Sequence, residues 1–167
     1  MKHYSEDYYI KVLFDKMKVS ELMLRSISIV EEFDDLSSAQ VKFLNKKIPY
    51  VFVVDKSKKL VGLLSQKYLY KAQSPRKVIT ADMKIGADII MDGDCYYSRE
   101  TLNNFYLTKV MQKNPLYVKD DSKVSDAISL MAAKNVACVP VVDEEKVVCG
   151  ALTNEVIISY LAKIVKG

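Results

Sequence analysis

Histidine is almost missing from this 167-residue chain, and its one copy is His3. Nucleophilic catalysis by a serine or cysteine with an imidazole base needs a histidine beside the nucleophile, and His3 sits in a polar N-terminal stretch. The same scarcity excludes paired-histidine metal motifs, and neither a Walker loop nor a dinucleotide fingerprint occurs. Independent catalysis is therefore not expected. The three cysteines, Cys95, Cys138 and Cys149, are odd in number and show no C-x-x-C spacing, so no zinc site is expected. Cys138 and Cys149 lie in apolar runs, where a thiol acts as a small hydrophobe. Asp88, Asp92 and Asp94 cluster in sequence but lack the spacing and terminal glutamate of a calcium loop, so no metal is expected there either.

Long apolar runs are also absent. None approaches the ~20 residues that span a bilayer, and residues 1–9 are polar and acidic, unlike a secretory signal. Arginine occurs three times, and the net charge of +4 comes from lysines interspersed with acids. That is a solvated surface rather than a nucleic-acid arm. Composition thus predicts a reduced, soluble, cytoplasmic protein with neither nucleic acid nor membrane as a partner.

What the chain does contain is itself, twice. A shift of 88 residues lays Met23 on Met111, Val30 on Val118, Ala39 on Ala127, Asp55 on Asp143, Gly62 on Gly150 and Leu64 on Leu152. Residues 19–69 align with 107–157 without a gap, with 12 identities in 51 columns. A unit of this size alone buries too little surface to be stable, so the two copies are expected to share a core. The predicted organisation is an N-terminal helix in 1–18, a first repeat in 19–71, a connector in 72–106 with a helix near its end, and a second repeat in 107–167. Because Leu102 lies 88 residues after Phe14, the repeat can begin earlier than residue 19.

Each repeat reads β-α-β-β-α. In the second, Tyr117 and Val118 are extended and Ser122 is the expected N-cap. Val124, Ala127, Ile128 and Met131 follow at helical spacing. Residues 138–142 and 147–152 read as a buried hairpin around the charged turn 143–146. Thr153 starts a helix whose apolar face is Val156, Ile157, Tyr160, Leu161 and Ile164. In the first, Ile29 and Val30 are extended, and Asp34 caps a helix bearing Leu36, Ala39, Phe43 and Leu44. Residues 50–54 and 60–64 form the hairpin, and Ser65 starts the last helix.

The strings Val110-Met111, Asn114-Pro115, Val139-Pro140-Val141-Val142-Asp143 and Gly150-Ala151-Leu152-Thr153 resemble the CBS (cystathionine β-synthase) domain. So do Leu22-Met23, Val51-Phe52-Val53-Val54-Asp55 and Gly62-Leu63-Leu64-Ser65, in the same register. The resemblance is to a tandem CBS pair, or Bateman module. It implies an α/β (α+β) fold in which two β-α-β-β-α repeats pack through their sheets with pseudo-twofold symmetry. It further implies a homodimer and a non-catalytic regulatory module. Such a module binds an adenosine-containing ligand between the repeats and regulates an unidentified partner protein in trans. AMP, ADP, ATP or S-adenosylmethionine are the implied ligands, not needed for folding.

The family's nucleotide signature is a glycine, then a serine or threonine at a helix start, then an aspartate one turn later for the ribose. Gly62 with Ser65 and Gly150 with Thr153 fit, but the aspartate positions hold Tyr68 and Val156. The expected cleft contacts are Ser26, Ile27, Tyr50, Val51, Ser65 and Tyr68 from the first repeat. Asn114, Pro115, Cys138, Val139, Pro140, Thr153 and Val156 complete them from the second. A structural reading stands beside each: Ser65 and Thr153 as N-caps, Val51 and Val139 as core. The alternative function is a ligand-independent dimerisation or protein-interaction module, which the missing aspartates favour.

Overall fold

The computed structural model describes residues 6–44, 48–66 and 107–166. The expected connector 72–106, its helix, Tyr68 and the expected helix beyond Gln66 lie outside the described residues. The elements run α1 (Glu6–Lys16), α2 (Val19–Leu22), β1 (Ile29–Glu31), α3 (Leu36–Leu44), β2 (Tyr50–Val54), β3 (Leu60–Ser65), α4 (Leu107–Val110), β4 (Gln112–Lys113), β5 (Val118–Lys119), α5 (Val124–Lys134), β6 (Cys138–Val142), β7 (Val148–Thr153) and α6 (Asn154–Lys166). The fold is the expected α/β pair of repeats, each with its own small sheet.

In the first sheet the order is β1-β2-β3-β4, with β1 parallel to β2 and the rest antiparallel. The second sheet is β5-β6-β7 in the same sense. Both hairpins carry a register shift at the same place, Val53/Val54 and Val141/Val142. Both turns are built on the repeated aspartate. Asp55 Oδ1 accepts from Lys59 N at 2.9 Å, and Asp143 Oδ1 accepts from Val147 N at 2.8 Å. This closes a turn in which Lys58 and Lys146 adopt left-handed backbones, φ 63 and φ 71.

β5 is one residue shorter than β1. The ladder pair Ile29–Phe52 has Tyr117 and Pro140 as its counterpart, and Pro140 has no N–H to donate. Pairing therefore starts at Val118–Val141, and Tyr117 is not part of the strand.

Two expected caps are displaced. α3 starts at Leu36, so the cap is Asp35, whose Oδ1 accepts from Ser38 N at 2.8 Å and from Ser37 Oγ at 2.7 Å. The hydrogen bond from Ser37, then those from Ser38, outweigh partial burial and hold the Asp35 carboxyl below its ordinary range. Asp34 instead accepts from Glu31 N at 2.8 Å, one turn back. Ser122 does not cap α5: the N-cap position is Lys123, which makes no side-chain cap bond. The first N–H of α5 goes elsewhere, from Val124 N to Met17 O at 2.9 Å.

That bond belongs to an exchange of segments between the repeats. Phe14, Val19 and Met23 complete the core of the second repeat, with Val124, Ala127, Met131, Val139, Val141 and Leu152. Leu107, Val110 and Met111 complete the core of the first, with Leu36, Ala39, Phe43, Val51, Val53 and Leu64. The leading segment of each repeat thus packs on the other. The backbone follows suit: β4 pairs with β3 through Gln112–Leu63, and Leu24 pairs with Ala151 at the position 88 residues removed. Val19 and Leu107, equivalent by the same shift, are both fully buried. Burying such a side chain is worth about 1.5–3 kcal/mol, so neither half is complete without the chain leading into its twin.

The repeated glycines are explained by the same exchange. A Cβ on Gly150 would meet Met23 Sδ at 2.6 Å and Leu24 O at 2.9 Å, and one on Gly62 would collide with Met111 Sδ. The pseudo-twofold axis passes through the hairpin tips. There Lys59 pairs with Val147, its own equivalent, between the bonds Leu60 N to Lys146 O at 3.2 Å and Val148 N to Lys58 O at 3.5 Å.

Candidate functional site

Strand alternation decides which expected site residues can meet a ligand at the seam. Side chains of β2 point alternately to opposite faces of the sheet. Val51 and Val53 go to the first repeat's own core, while Tyr50, Phe52 and Val54 go to a third cluster between the sheets. The second repeat copies the pattern: Val139 and Val141 enter its own core, and Cys138 and Val142 enter the shared cluster. Ile48, Leu60, Leu63, Val148 and Ala151 fill the rest of that seam, with Ile27 packed at its edge.

Four of the expected residues therefore converge as two equivalent pairs. Tyr50 opens β2 and is the ladder partner of Ser65, which closes β3. Cys138 opens β6 and is the ladder partner of Thr153, which closes β7. All four carry polar atoms at strand ends on the seam side. Pro140 is buried on β6, and Val51 and Val139 are fully buried on the opposite, helical faces. Ser26 and Asn114 are equivalent by the repeat, and both are exposed. Asn114 takes a left-handed backbone, φ 47, and its N–H donates to Val61 O at 3.2 Å. Pro115, the counterpart of Ile27, is buried.

Thr153 is buried and its Oγ1 accepts from Val156 N at 3.3 Å, which makes it the N-cap of α6. Val156 itself packs against the second repeat's core. The position where the nucleotide signature carries an aspartate thus supplies packing. Ile157, Tyr160 and Leu161 join it on that core, while Ile164 is exposed.

The titratable groups at the seam respond to burial and to one carboxylate. Burial, then Glu155, push the Cys138 thiol up to about 12. Burial first, then Cys138 and Glu155, raise the Tyr50 phenol above its ordinary range. Glu155 stands in the first turn of α6, two residues beyond Thr153, and is the functional candidate that sequence reasoning passed over. Its signal was there: it is the one charged residue in 136–140 and 151–157 together.

A groove of about 370 Å³ lies elsewhere, between α5 and α6, lined by Ile128, Met131, Asn135, Val136 and Ile157 among others. It shares none of the seam residues above. No described helix is long and apolar enough to cross a membrane.

The sequence profile of the CBS domain matches residues 19–75 and 107–163. The chain belongs to the CBS domain family. An uncharacterized protein of Methanocaldococcus jannaschii is 28% identical over 160 residues, spanning 87% of this chain and 91% of that one. The CBS domain pair of protein MJ0100, solved with 5′-methylthioadenosine and S-adenosyl-L-methionine, superposes with a TM-score of 0.65 at 19% identity, covering 88% of this chain and 97% of that one. CBSX2, solved with AMP, superposes with a TM-score of 0.63 at 22% identity, covering 88% and 97%. The two matched segments are the two halves whose leading segments are exchanged, so this CBS pair is a tandem repeat with one shared seam.

Proposed function

We propose that this CBS pair is a non-catalytic regulatory module that binds an adenosine-containing ligand at the seam and regulates a partner protein in trans. The proposed setting is the cytoplasm and the proposed form a homodimer. The observation that carries the reading is the convergence of Tyr50 with Ser65 and Cys138 with Thr153, two equivalent polar pairs at the ends of an otherwise apolar seam. Support comes from the near-full-length likeness to CBS pairs solved with AMP and with S-adenosyl-L-methionine. A ligand touching both pairs has a different affinity for each relative arrangement of the repeats. That difference is the free energy available to a switch.

A second reading is a ligand-independent interaction module. Val156 in the core and a Thr153 hydroxyl already engaged as a helix cap favour it. Thermal unfolding with AMP, ADP, ATP, S-adenosylmethionine and 5′-methylthioadenosine separates the two. A ligand at a hundred times its dissociation constant adds about 2.7 kcal/mol. The first reading expects such a shift from at least one of them, and the second expects none at millimolar concentration.

A further inference from the structure

The geometry points to a cleft, at the α6 end of the seam, that selects neutral or cationic adenosyl compounds over nucleotides, with the Glu155 carboxylate as the selecting group. This rests on the adenosyl reading above and narrows it to a ligand class.

Three structural facts place the carboxylate. Cys138 and Thr153 are ladder partners, so the strand ends 137–138 and 153–154 lie side by side. Asn154 N donates to Ala137 O at 3.0 Å, which ties the start of α6 to the start of β6. Tyr50, from the other repeat, packs in the same cluster as Cys138. Glu155, next along α6, is exposed, so its charge stands at the open margin of the cluster.

The described strand ends 48–52, 64–66, 136–140 and 151–157 carry no lysine or arginine and one acid, Glu155. On the crossing segments beside them stand Arg25, whose guanidinium donates to Ser20 O at 3.0 Å, and the exposed Lys113. Every charge recorded as acting on Tyr50 and Cys138 opposes their ionisation, and Glu155 acts on both. The N-terminus of a helix as long as α6 ordinarily favours an anion. Here that end already holds its own carboxylate in the first turn and a threonine hydroxyl on one of its free N–H groups. A phosphate brought to this margin meets a like charge. A sulfonium meets an opposite one, and an uncharged thioether nucleoside meets neither penalty nor gain. In the first repeat the equivalent sequence position is Lys67, so the inference concerns the Glu155 end alone.

Calorimetric titration of the full chain at low ionic strength tests it, with S-adenosylmethionine, 5′-methylthioadenosine and AMP as probes. S-adenosylmethionine is expected to bind about tenfold more tightly than 5′-methylthioadenosine, and AMP more weakly than both, on the scale of one charge pair a few ångströms apart in partly wet protein. Glu155→Gln is expected to collapse the sulfonium advantage and to strengthen AMP binding, with the unliganded unfolding midpoint lowered by at most a few degrees, the effect of losing one first-turn carboxylate. In the wild-type chain, added salt is expected to weaken the sulfonium ligand and leave the neutral one unaffected. AMP binding more tightly than S-adenosylmethionine, or a sulfonium-to-thioether ratio indifferent to both Glu155→Gln and salt, overturns the selection and leaves the adenosyl reading standing. No binding by any of the three overturns the adenosyl reading itself, and this inference with it.

Discussion

Single residues explain where the two repeats have diverged. Ser37 and Ser125 are identical by the repeat, yet their hydroxyls fare differently. Ser37 Oγ donates to Asp35 Oδ1, while Ser125 Oγ is buried without a hydrogen-bond partner among the described residues. The cause is the neighbour two residues back, Asp35 in one repeat and Lys123 in the other. A single change, Lys123→Asp, restores both the missing cap of α5 and the missing acceptor. It is expected to raise stability by about 1–2 kcal/mol in urea denaturation, and no gain would mean that the α5 terminus is already satisfied by Met17. Cys138 provides a pH test. Its folded-state pKa is raised from 9.0 to about 12, so its contribution is intact below pH 9. Stability is then lost as pH climbs toward about 12, because the unfolded chain gives up the proton first. In a chain carrying Cys95→Ser and Cys149→Ser, this thiol, 4% exposed, is expected to react with a disulfide reagent at pH 8 far more slowly than it does in the urea-unfolded chain. Immediate reaction would contradict its burial.

At the scale of elements, the hairpins were the most legible part of the sequence. The runs 50–54 and 138–142 are apolar and rich in valine, and each is followed by a charged turn. Both form strands with those bounds. The caps were less legible, because Asp34 and Asp35 are chemically alike and one residue of register separates them. The exchange of leading segments was not legible. A helical pattern tells which side of a segment is apolar, and Phe14 and Val19 obey it, but it does not tell which repeat that side will cover. The alignment of Phe14 with Leu102 was the only hint. For the site, the resemblance pointed to the strand ends, and period-two alternation then parts Tyr50 and Cys138 from Val51 and Val139. Glu155 escaped because a charge in the first turn of a helix is ordinarily just solvated. The exchange makes its own prediction at the two glycines. Gly150→Ala pushes against the Leu24 carbonyl, a backbone atom that also accepts from Ala151 N at 3.0 Å. Gly62→Ala meets only the Met111 side chain, which can move. Overpacking costs typically about 1–3 kcal/mol. Gly150→Ala is expected near the upper end and Gly62→Ala near the lower, measured by urea unfolding. The opposite order would place the rigid contact on the wrong repeat.

For the whole molecule, the exchange makes the seam more than a contact between two finished domains. The segments crossing it at Met23–Leu24 and Met111–Gln112 belong at once to one repeat's sequence and the other's sheet. A rotation of the repeats must therefore bend those crossings, and the site proposed for the ligand, at Tyr50, Ser65, Cys138 and Thr153, lies in the strands next to them. Family membership, the tandem architecture and the sheet-to-sheet pairing are fixed by structure and comparison together. The ligand and the regulated partner are the proposal. Amide hydrogen exchange with and without saturating S-adenosylmethionine addresses the central claim most directly. Slowed exchange is expected in peptides from both repeats, covering 24–28 and 48–52 in the first and 112–116, 136–140 and 151–156 in the second. Protection confined to the second repeat and extending over 128–134 of α5, which lines the separate groove and not the seam, would contradict a ligand held across the seam.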